Sequence, residues 1–291
     1  MKIVKLVSLA LAATLSLAGC APAQQPIEGK VKIVASTNVW GDVAKAVGGD
    51  LVEVTSIIDD AKKDPHSYEA SARDQLAVEK SNLVIANGGG YDDFIEKMAE
   101  AAGNKQIFRV ASAVTAVAWQ ENEHLWYSIS AVGEVAYAMA ETLSAIDAKN
   151  AEKYSKNADT YVEGLTGVAA MYGDVRSRTE GFTYFATEPL ASWLLADLGF
   201  VDKTPKAFSD AIENETDVAP RVMKESLDLI KSGKVKYLVI NSQTQNSQVQ
   251  QVIDAARDAG VRAVVLSEVL PKGMDFVEWM GENLLSLDPA R

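Results

Sequence analysis

The chain has only two histidines, and both lie in predicted loops where an imidazole could bind a metal ion. His66 lies in the segment 64–69 (DPHSYE), after a predicted strand and before a predicted helix. His124 lies in 122–127 (NEHLWY), beside two aromatic residues. Taken singly, His66 could be an ordinary surface residue and His124 a core or interface residue. Together they fall where loops leave the predicted first sheet, and such edges bind ligands in α/β folds.

Two acidic residues in later loops could complete a site with nitrogen and oxygen donors. Glu188 lies at a strand-to-helix turn in 186–189 (ATEP), and Asp275 precedes the last predicted helix. Each also has a structural interpretation. The helix dipole favours a carboxylate at the position of Glu188. Asp275 and Glu278 have the spacing of a capping box.

Two neutral imidazoles and two carboxylates would surround a divalent cation with zero net charge, which avoids a buried uncompensated charge. Nitrogen and oxygen donors without thiolates suit zinc or manganese. Calcium and magnesium are poor candidates, because the sequence has neither a calcium loop nor a cluster of carboxylates.

The composition excludes several classes of protein. The 291 residues include 40 Asp and Glu against 28 Lys and Arg, a net charge of -12, so we expect no nucleic-acid partner. One cysteine excludes an intramolecular disulfide framework and a thiolate zinc site. A hydrophobic fraction of 48% with 23% charged residues is typical of a globular protein with one large or two ordinary domains.

The N-terminus has the pattern of a lipoprotein signal peptide over residues 1–20. Lys2 and Lys5 precede an apolar run over 6–17, which ends in the sequence LAGC at Cys20. Twelve helical residues span about 18 Å, too short for a hydrocarbon core of about 30 Å. We therefore predict cleavage before Cys20, a lipid anchor on Cys20 and a tether over 21–30.

The remaining chain predicts an α/β fold with two similar lobes, each a mainly parallel sheet flanked by helices. Short apolar segments alternate with helical ones, a pattern typical of βαβ units. Predicted strands cover 31–36, 52–58, 83–86 and 106–110, then 182–186, 237–240 and 263–266. Helical periodicity between them predicts one long linker helix. The expected boundaries are 31–146 for the N-terminal lobe, 147–176 for the linker helix and 177–291 for the C-terminal lobe.

The mature chain resembles the metal-binding solute receptors of bacterial zinc and manganese ABC importers, the TroA-like group with a helical backbone. The resemblance covers nearly the whole mature chain and is closest to actinobacterial-type members. It depends on the segments 64–69, 87–91 (NGGGY), 122–127, 186–189 and 270–273 (LPKG). It implies two α/β lobes joined by a long helix, with the metal bound in the cleft between them.

The resemblance also implies residue roles. His66, His124 and Glu188 match the family's ligand motifs, and Asp275 is the best match to the fourth ligand, with Glu268 and Asn241 as the other candidates. The sequence has no His-rich loop before His124, and Glu188 stands where many zinc receptors have histidine. Both features favour manganese. Such a donor set nevertheless binds zinc more tightly than manganese in vitro, so the metal stays open between the two.

The resemblance implies a binding protein and not an enzyme. The expected ligand is the transported metal, with no organic cofactor, and the expected partners are an ABC permease and the membrane reached through Cys20. We expect a monomer, extracytoplasmic or periplasmic and anchored by lipid. Two alternatives are a metalloenzyme with three protein ligands and an open position, and a surface adhesin without a metal. The sequence lacks an activation motif such as His-Glu-x-x-His, and an adhesin would not need ligand motifs in both lobes.

Overall fold

The computed structural model describes residues 29–103, 105–119, 122–244 and 246–291. The predicted signal peptide, Cys20 and nearly all of the predicted tether lie outside the described residues. Within the described residues, no helix combines the length and the apolar character needed to cross a membrane.

The first lobe is a four-stranded parallel sheet with the strand order β2-β1-β3-β4. Strand β1 lies in the middle of the sheet and is almost entirely buried, as its run of apolar and β-branched residues predicts. The strands are β1 (Val31–Thr37), β2 (Val52–Ile58), β3 (Leu83–Ala86) and β4 (Ile107–Arg109). The helices are α1 (Asn38–Gly48), α2 (Ala72–Lys80), α3 (Asp93–Ala101), α4 (Val110–Ala113) and α5 (Ile129–Ile146).

The second lobe repeats this arrangement with the parallel strand order β6-β5-β7-β8. Its strands are β5 (Thr183–Ala186), β6 (Val201–Asp202), β7 (Tyr237–Asn241) and β8 (Arg262–Leu266). Its helices are α7 (Ser192–Asp197), α8 (Lys206–Glu213), α9 (Pro220–Lys231), α10 (Ser247–Asp258) and α11 (Phe276–Leu287). The two sheets have the same strand order, which confirms the expectation of two similar lobes.

The lobes are joined by helix α6 (Ala151–Thr179), whose 29 residues would span about 43 Å. Helix α11 of the second lobe packs against α6 and also contacts α1 of the first lobe. Buried residues of both sheets, including Ile33 and Val239, belong to one continuous hydrophobic cluster. The lobes therefore share part of their core, and the long helix is not their only connection.

The seven predicted strands are confirmed with small shifts at their ends. Between Leu198 and Val235, however, the sequence pattern predicts neither strands nor helices. The structure places β6, α8 and α9 there. Helix α8 is short, and its buried residues Phe208 and Ile212 are four positions apart on one face. That spacing is a helical signal, although eight residues give few repeats from which to recognise it.

Candidate metal centre

The candidate site lies between the lobes, where loops from the carboxyl edges of both sheets meet. His66 follows β2, and His124 lies in the connection from α4 to α5. Glu188 follows β5, Asn241 ends β7 and Glu268 follows β8. Because all strands within a sheet run parallel, their carboxyl ends share one edge, and the connections that follow them can converge.

His124 is buried, with 0% of its side chain exposed. Its Nδ1 lies 2.9 Å from Oδ1 of Asn122, which also accepts the backbone N–H of His124 at 2.8 Å. The amide oxygen can only accept, so Nδ1 carries the proton and Nε2 holds a lone pair. Burial and the neighbouring His66 lower the pKa of His124 to about 3, so the ring is neutral at physiological pH. A neutral imidazole oriented by its other nitrogen is ready to bind a metal.

His66 lies nearer to solvent, with 21% of its side chain exposed. Its backbone N–H donates to Oδ1 of Asp64 at 2.8 Å, which fixes the turn. Its ring packs edge-on against Tyr91, with ring centroids 4.9 Å apart. The Tyr91 hydroxyl donates to Oε2 of the buried Glu268 at 2.8 Å. Tyr91 therefore joins the imidazole side of the site to the carboxylate side.

The carboxylates of the second lobe are arranged around Asn241. Its Nδ2 amide donates to Oε1 of Glu268 at 2.7 Å and to Oε2 of Glu188. Burial, and second the charge of Asp64, raise the pKa of Glu268 to about 8. Burial also raises the pKa of Glu188. Asn241, which the sequence gives as another candidate ligand, thus hydrogen-bonds to both acids through its amide.

Helix α8 brings a third carboxylate into the site that the sequence analysis missed. Oε1 of Glu213 lies 3.6 Å from Nε2 of His66 and 3.6 Å from Nε2 of His124. Only 14% of its side chain is exposed. Burial, followed by the charges of Glu188 and other acids, raises the pKa of Glu213 to about 10. An amphipathic pattern could have predicted the helix, but no local signal shows that its last residue faces the histidines.

Two sets of possible donor atoms are each close enough to hold one ion. Among the described residues, the possible donor atoms of His66, His124 and Glu268 lie within 4.8 Å of one another, and those of His66, Glu123 and Glu213 form a second such group. Nε2 of His124 and Oε1 of Glu213 are buried and have no hydrogen-bond partner within the described chain. Buried polar atoms of native proteins are nearly always paired, and a divalent cation bound here would give both atoms a partner.

Asp275 lies elsewhere. It is the exposed N-cap of α11, where its carboxylate accepts the N–H of Glu278 at 2.9 Å in a complete capping box. Its charge acts on Asp42 and Tyr161, at the contact between α1, α6 and α11. Of the predicted ligands, the structure thus brings His66, His124 and Glu188 together and leaves Asp275 outside. The nearby acid in the same connection is Glu268.

Comparisons with known proteins identify a family and several named relatives. The model of the family described as "Zinc-uptake complex component A periplasmic" matches residues 33–290. The metal ABC transporter substrate-binding lipoprotein FimA of Streptococcus parasanguinis is 25% identical, over 89% of this chain and 87% of its own. The manganese-binding lipoprotein MntA of Bacillus subtilis is also 25% identical, over 88% of this chain and 86% of its own.

Solved structures share the fold. The periplasmic zinc-binding protein TroA from Treponema pallidum aligns with a TM-score of 0.76 at 18% identity, covering 90% of this chain and 99% of TroA. The binding protein FpvC from Pseudomonas aeruginosa, in complex with Mn²⁺, aligns with a TM-score of 0.74 at 23% identity, covering 90% and 98%. The family match spans nearly all of the described chain, and this chain belongs to the family of zinc-uptake complex component A proteins.

Proposed function

We propose that this chain captures a divalent transition metal, zinc or manganese, outside the cytoplasm and delivers it to an ABC importer. The proposed ligands are His66 and His124 from the first lobe and Glu188 and Glu268 from the second. The observation that carries the proposal is the buried, neutral His124, whose Nε2 is unpartnered within the described residues and whose ring offers a donor atom within 4.8 Å of donor atoms of both His66 and Glu268. Its relatives are named as metal or manganese binding proteins of ABC transporters, which supports the same function.

The donor set favours a binding protein over the two alternatives. The ligands come from both lobes, so a bound ion joins the lobes and its presence can be recognised on the outer surface. A catalytic metal site would need an open position for water and an activating base. An adhesin without a metal would leave the lone pair of His124 and the crowded carboxylates unexplained.

Anchoring and delivery complete the proposal. Cys20 would carry the lipid that holds the protein at the membrane, in agreement with the lipoprotein names of its relatives. A permease would bind the rim of the cleft and separate the lobes to release the ion. We propose that the protein acts as a monomer.

Thermal unfolding with added metals tests this function. A ligand that binds only the folded state stabilises it by about 4 kcal/mol at a thousandfold excess over its Kd. Micromolar Zn²⁺ or Mn²⁺ should therefore raise the Tm of chelator-treated protein clearly, and Mg²⁺ at the same concentration should not. Elemental analysis of protein purified without added metal should find one transition-metal ion per chain. Equal shifts with all three ions would indicate screening of surface charge and contradict the proposal.

A further inference from the structure

The last residue of helix α8 extends the metal centre beyond its four proposed ligands. We propose that Glu213 supplies a third carboxylate to the bound ion and that this additional oxygen donor favours Mn²⁺ over Zn²⁺. The inference rests on the proposed function, because it concerns the same ion. One carboxyl oxygen of Glu213 lies beside two imidazoles, and the end of α8 holds it there.

The first observation is an imidazole nitrogen and a carboxyl oxygen that lie close together without a hydrogen bond between them. Nδ1 of His124 donates to Asn122, so Nε2 presents a lone pair toward Oε1 of Glu213 at 3.6 Å. That distance is beyond a hydrogen bond, and neither atom has another partner within the described residues. A cation between them satisfies both atoms. Two ligands that each lie about 2.1 Å from one ion are about 3.6 Å apart when they subtend about 120°.

The second observation is that nothing else in the described structure compensates Glu213. It ends α8, where the helix dipole disfavours a negative charge. It is mostly buried, and the carboxylates of Glu188, Glu123 and Glu268 all act on it with like charge. His66 and His124 are the basic groups beside it, and His124 is held neutral. Buried carboxylates need a compensating positive charge, and a divalent cation bound between them would supply it.

The third observation is the strained turn that fixes Glu213. The N–H of Thr216 donates to the carbonyl of Ala211 at 2.8 Å, and that of Glu215 donates to Ile212 at 3.0 Å. These are the two bonds of a Schellman motif, whose left-handed position usually holds glycine. Here Glu215 occupies it with φ 52°, the only positive φ at a non-glycine residue in the described part of the chain. Strain of this kind is concentrated at functional sites.

The number and type of donors indicate the selectivity. With Glu213 the centre offers two imidazole nitrogens and three carboxylates. Zinc prefers four ligands in a tetrahedral arrangement, so a fifth donor adds little to its binding. Manganese accepts a larger coordination number and suits carboxylate oxygen. Removing this oxygen donor should therefore weaken manganese binding more than zinc binding.

The test compares Glu213→Gln with Glu215→Gln in the purified full chain. Both variants remove one negative charge from the same helix end, but Glu215 is exposed and lines the outer cleft with Asp64 and Gln243. Competition titrations with a chelator would measure the Kd of Mn²⁺ and of Zn²⁺. In Glu213→Gln we expect at least a tenfold loss of Mn²⁺ affinity and less than a threefold loss for Zn²⁺. In Glu215→Gln both should stay within about twofold of wild type.

Several results would overturn the inference. An unchanged Mn²⁺ affinity in Glu213→Gln would do so, as would equal losses for both metals or the same loss in Glu215→Gln. Thermal unfolding of metal-free protein confirms that the variants fold, and Glu213→Gln should be at least as stable as wild type because glutamine keeps the shape of the side chain and burial disfavours a charge at this position. His124→Ala separates the two proposals. If it abolishes binding while Glu213→Gln does not affect it, only the inference about Glu213 fails. If His124→Ala binds both metals as wild type does, the proposed function fails as well.

Discussion

The two sides of the proposed metal centre bury groups of opposite kinds, an imidazole on the first-lobe side and carboxylic acids on the second-lobe side. On the first-lobe side, the imidazole of His124 is surrounded by aromatic rings, with Trp126 and Tyr91 centroids 5.2 and 6.0 Å away, and burial keeps it neutral. On the second-lobe side, Glu188 and Glu268 share the amide of Asn241, and burial raises the pKa of each. The first side is uncharged without a metal. The second side gains closely spaced negative charges when its carboxyl groups lose their protons.

The two sides would therefore contribute differently to metal binding: one holds an imidazole in position, and the other attracts the cation. The imidazole of His124, a proposed ligand, is held in place by packing and by Asn122, so it would need little rearrangement to bind an ion. The carboxylates supply the charge that draws a cation into the cleft, but protons compete for the same oxygens. Changes on the first side should therefore alter metal affinity through lost ligands and lost packing, whereas changes on the second side should also alter the pH dependence.

The largest expected effect is the loss of an imidazole. His66→Ala and His124→Ala should each weaken Mn²⁺ and Zn²⁺ binding by about 100-fold or more, since a ligand contributes at least as much as the residues that orient it. Only His124→Ala should also lower the free energy of unfolding, by about 1–3 kcal/mol, because this ring is fully buried. Calorimetric titration and urea unfolding measure the two effects. Wild-type affinity in either variant would remove that residue from the centre.

A smaller effect should distinguish the two acids of the connection that follows β8. Glu268→Gln should weaken metal binding by about 10- to 100-fold, because it removes a buried oxygen donor held by Tyr91 and Asn241. Asp275→Asn is the matched control, with the same loss of charge. It should leave the affinity unchanged and the cap intact, because asparagine caps helices as well as aspartate does. A larger loss of metal affinity in Asp275→Asn than in Glu268→Gln would instead support Asp275 as the fourth ligand.

The pH dependence of the metal-free protein should differ in sign between the two sides. The pKa of Glu268 is raised to about 8 in the folded state, so its contribution to stability is present below about pH 4.5 and is lost as the pH rises through 8. The pKa of His124 is lowered to about 3, so stability is lost as the pH falls below about 6.5. Between about pH 4.5 and 6.5 these two contributions therefore change in opposite directions, and the raised pKa values of Glu188 and Glu213 add to the loss of stability on the alkaline side.

Urea unfolding across this pH range, with a chelator present, tests the prediction. Glu268→Gln should reduce the loss on the alkaline side, and His124→Gln should reduce the loss on the acid side. The same flattening in both variants would show that the two sides do not titrate independently.

The smallest expected change concerns the overall shape. The lobes share a hydrophobic cluster, and the backbone of Leu270 exchanges two hydrogen bonds of 2.9 Å with Asn38 of the first lobe. Bending α6 would also break backbone hydrogen bonds. Scattering curves of metal-free and metal-loaded protein should therefore nearly overlay, while hydrogen exchange slows around 122–128 and 266–270. A large decrease in the radius of gyration would contradict this rigid connection.

The sequence by itself determined the fold class, the alternation of strands and helices, and three residues that converge on the site. Hydrophobic periodicity is local, so it can be read along the chain. With only two histidines present, counting selects His66 and His124 as candidate ligands, and the motif at the strand-to-helix turn selects Glu188.

Only the tertiary structure shows which other acids lie beside the histidines. Glu268 and Asp275 lie in the same connection, and the capping spacing at Asp275 was visible, but which carboxylate faces the histidines depends on where β8 ends relative to the other lobe. Glu213 is brought beside His66 and His124 by the packing of α8 through Phe208 and Ile212. A side chain at a loop or helix end points where distant contacts hold its backbone, and those contacts leave no pattern in the neighbouring residues.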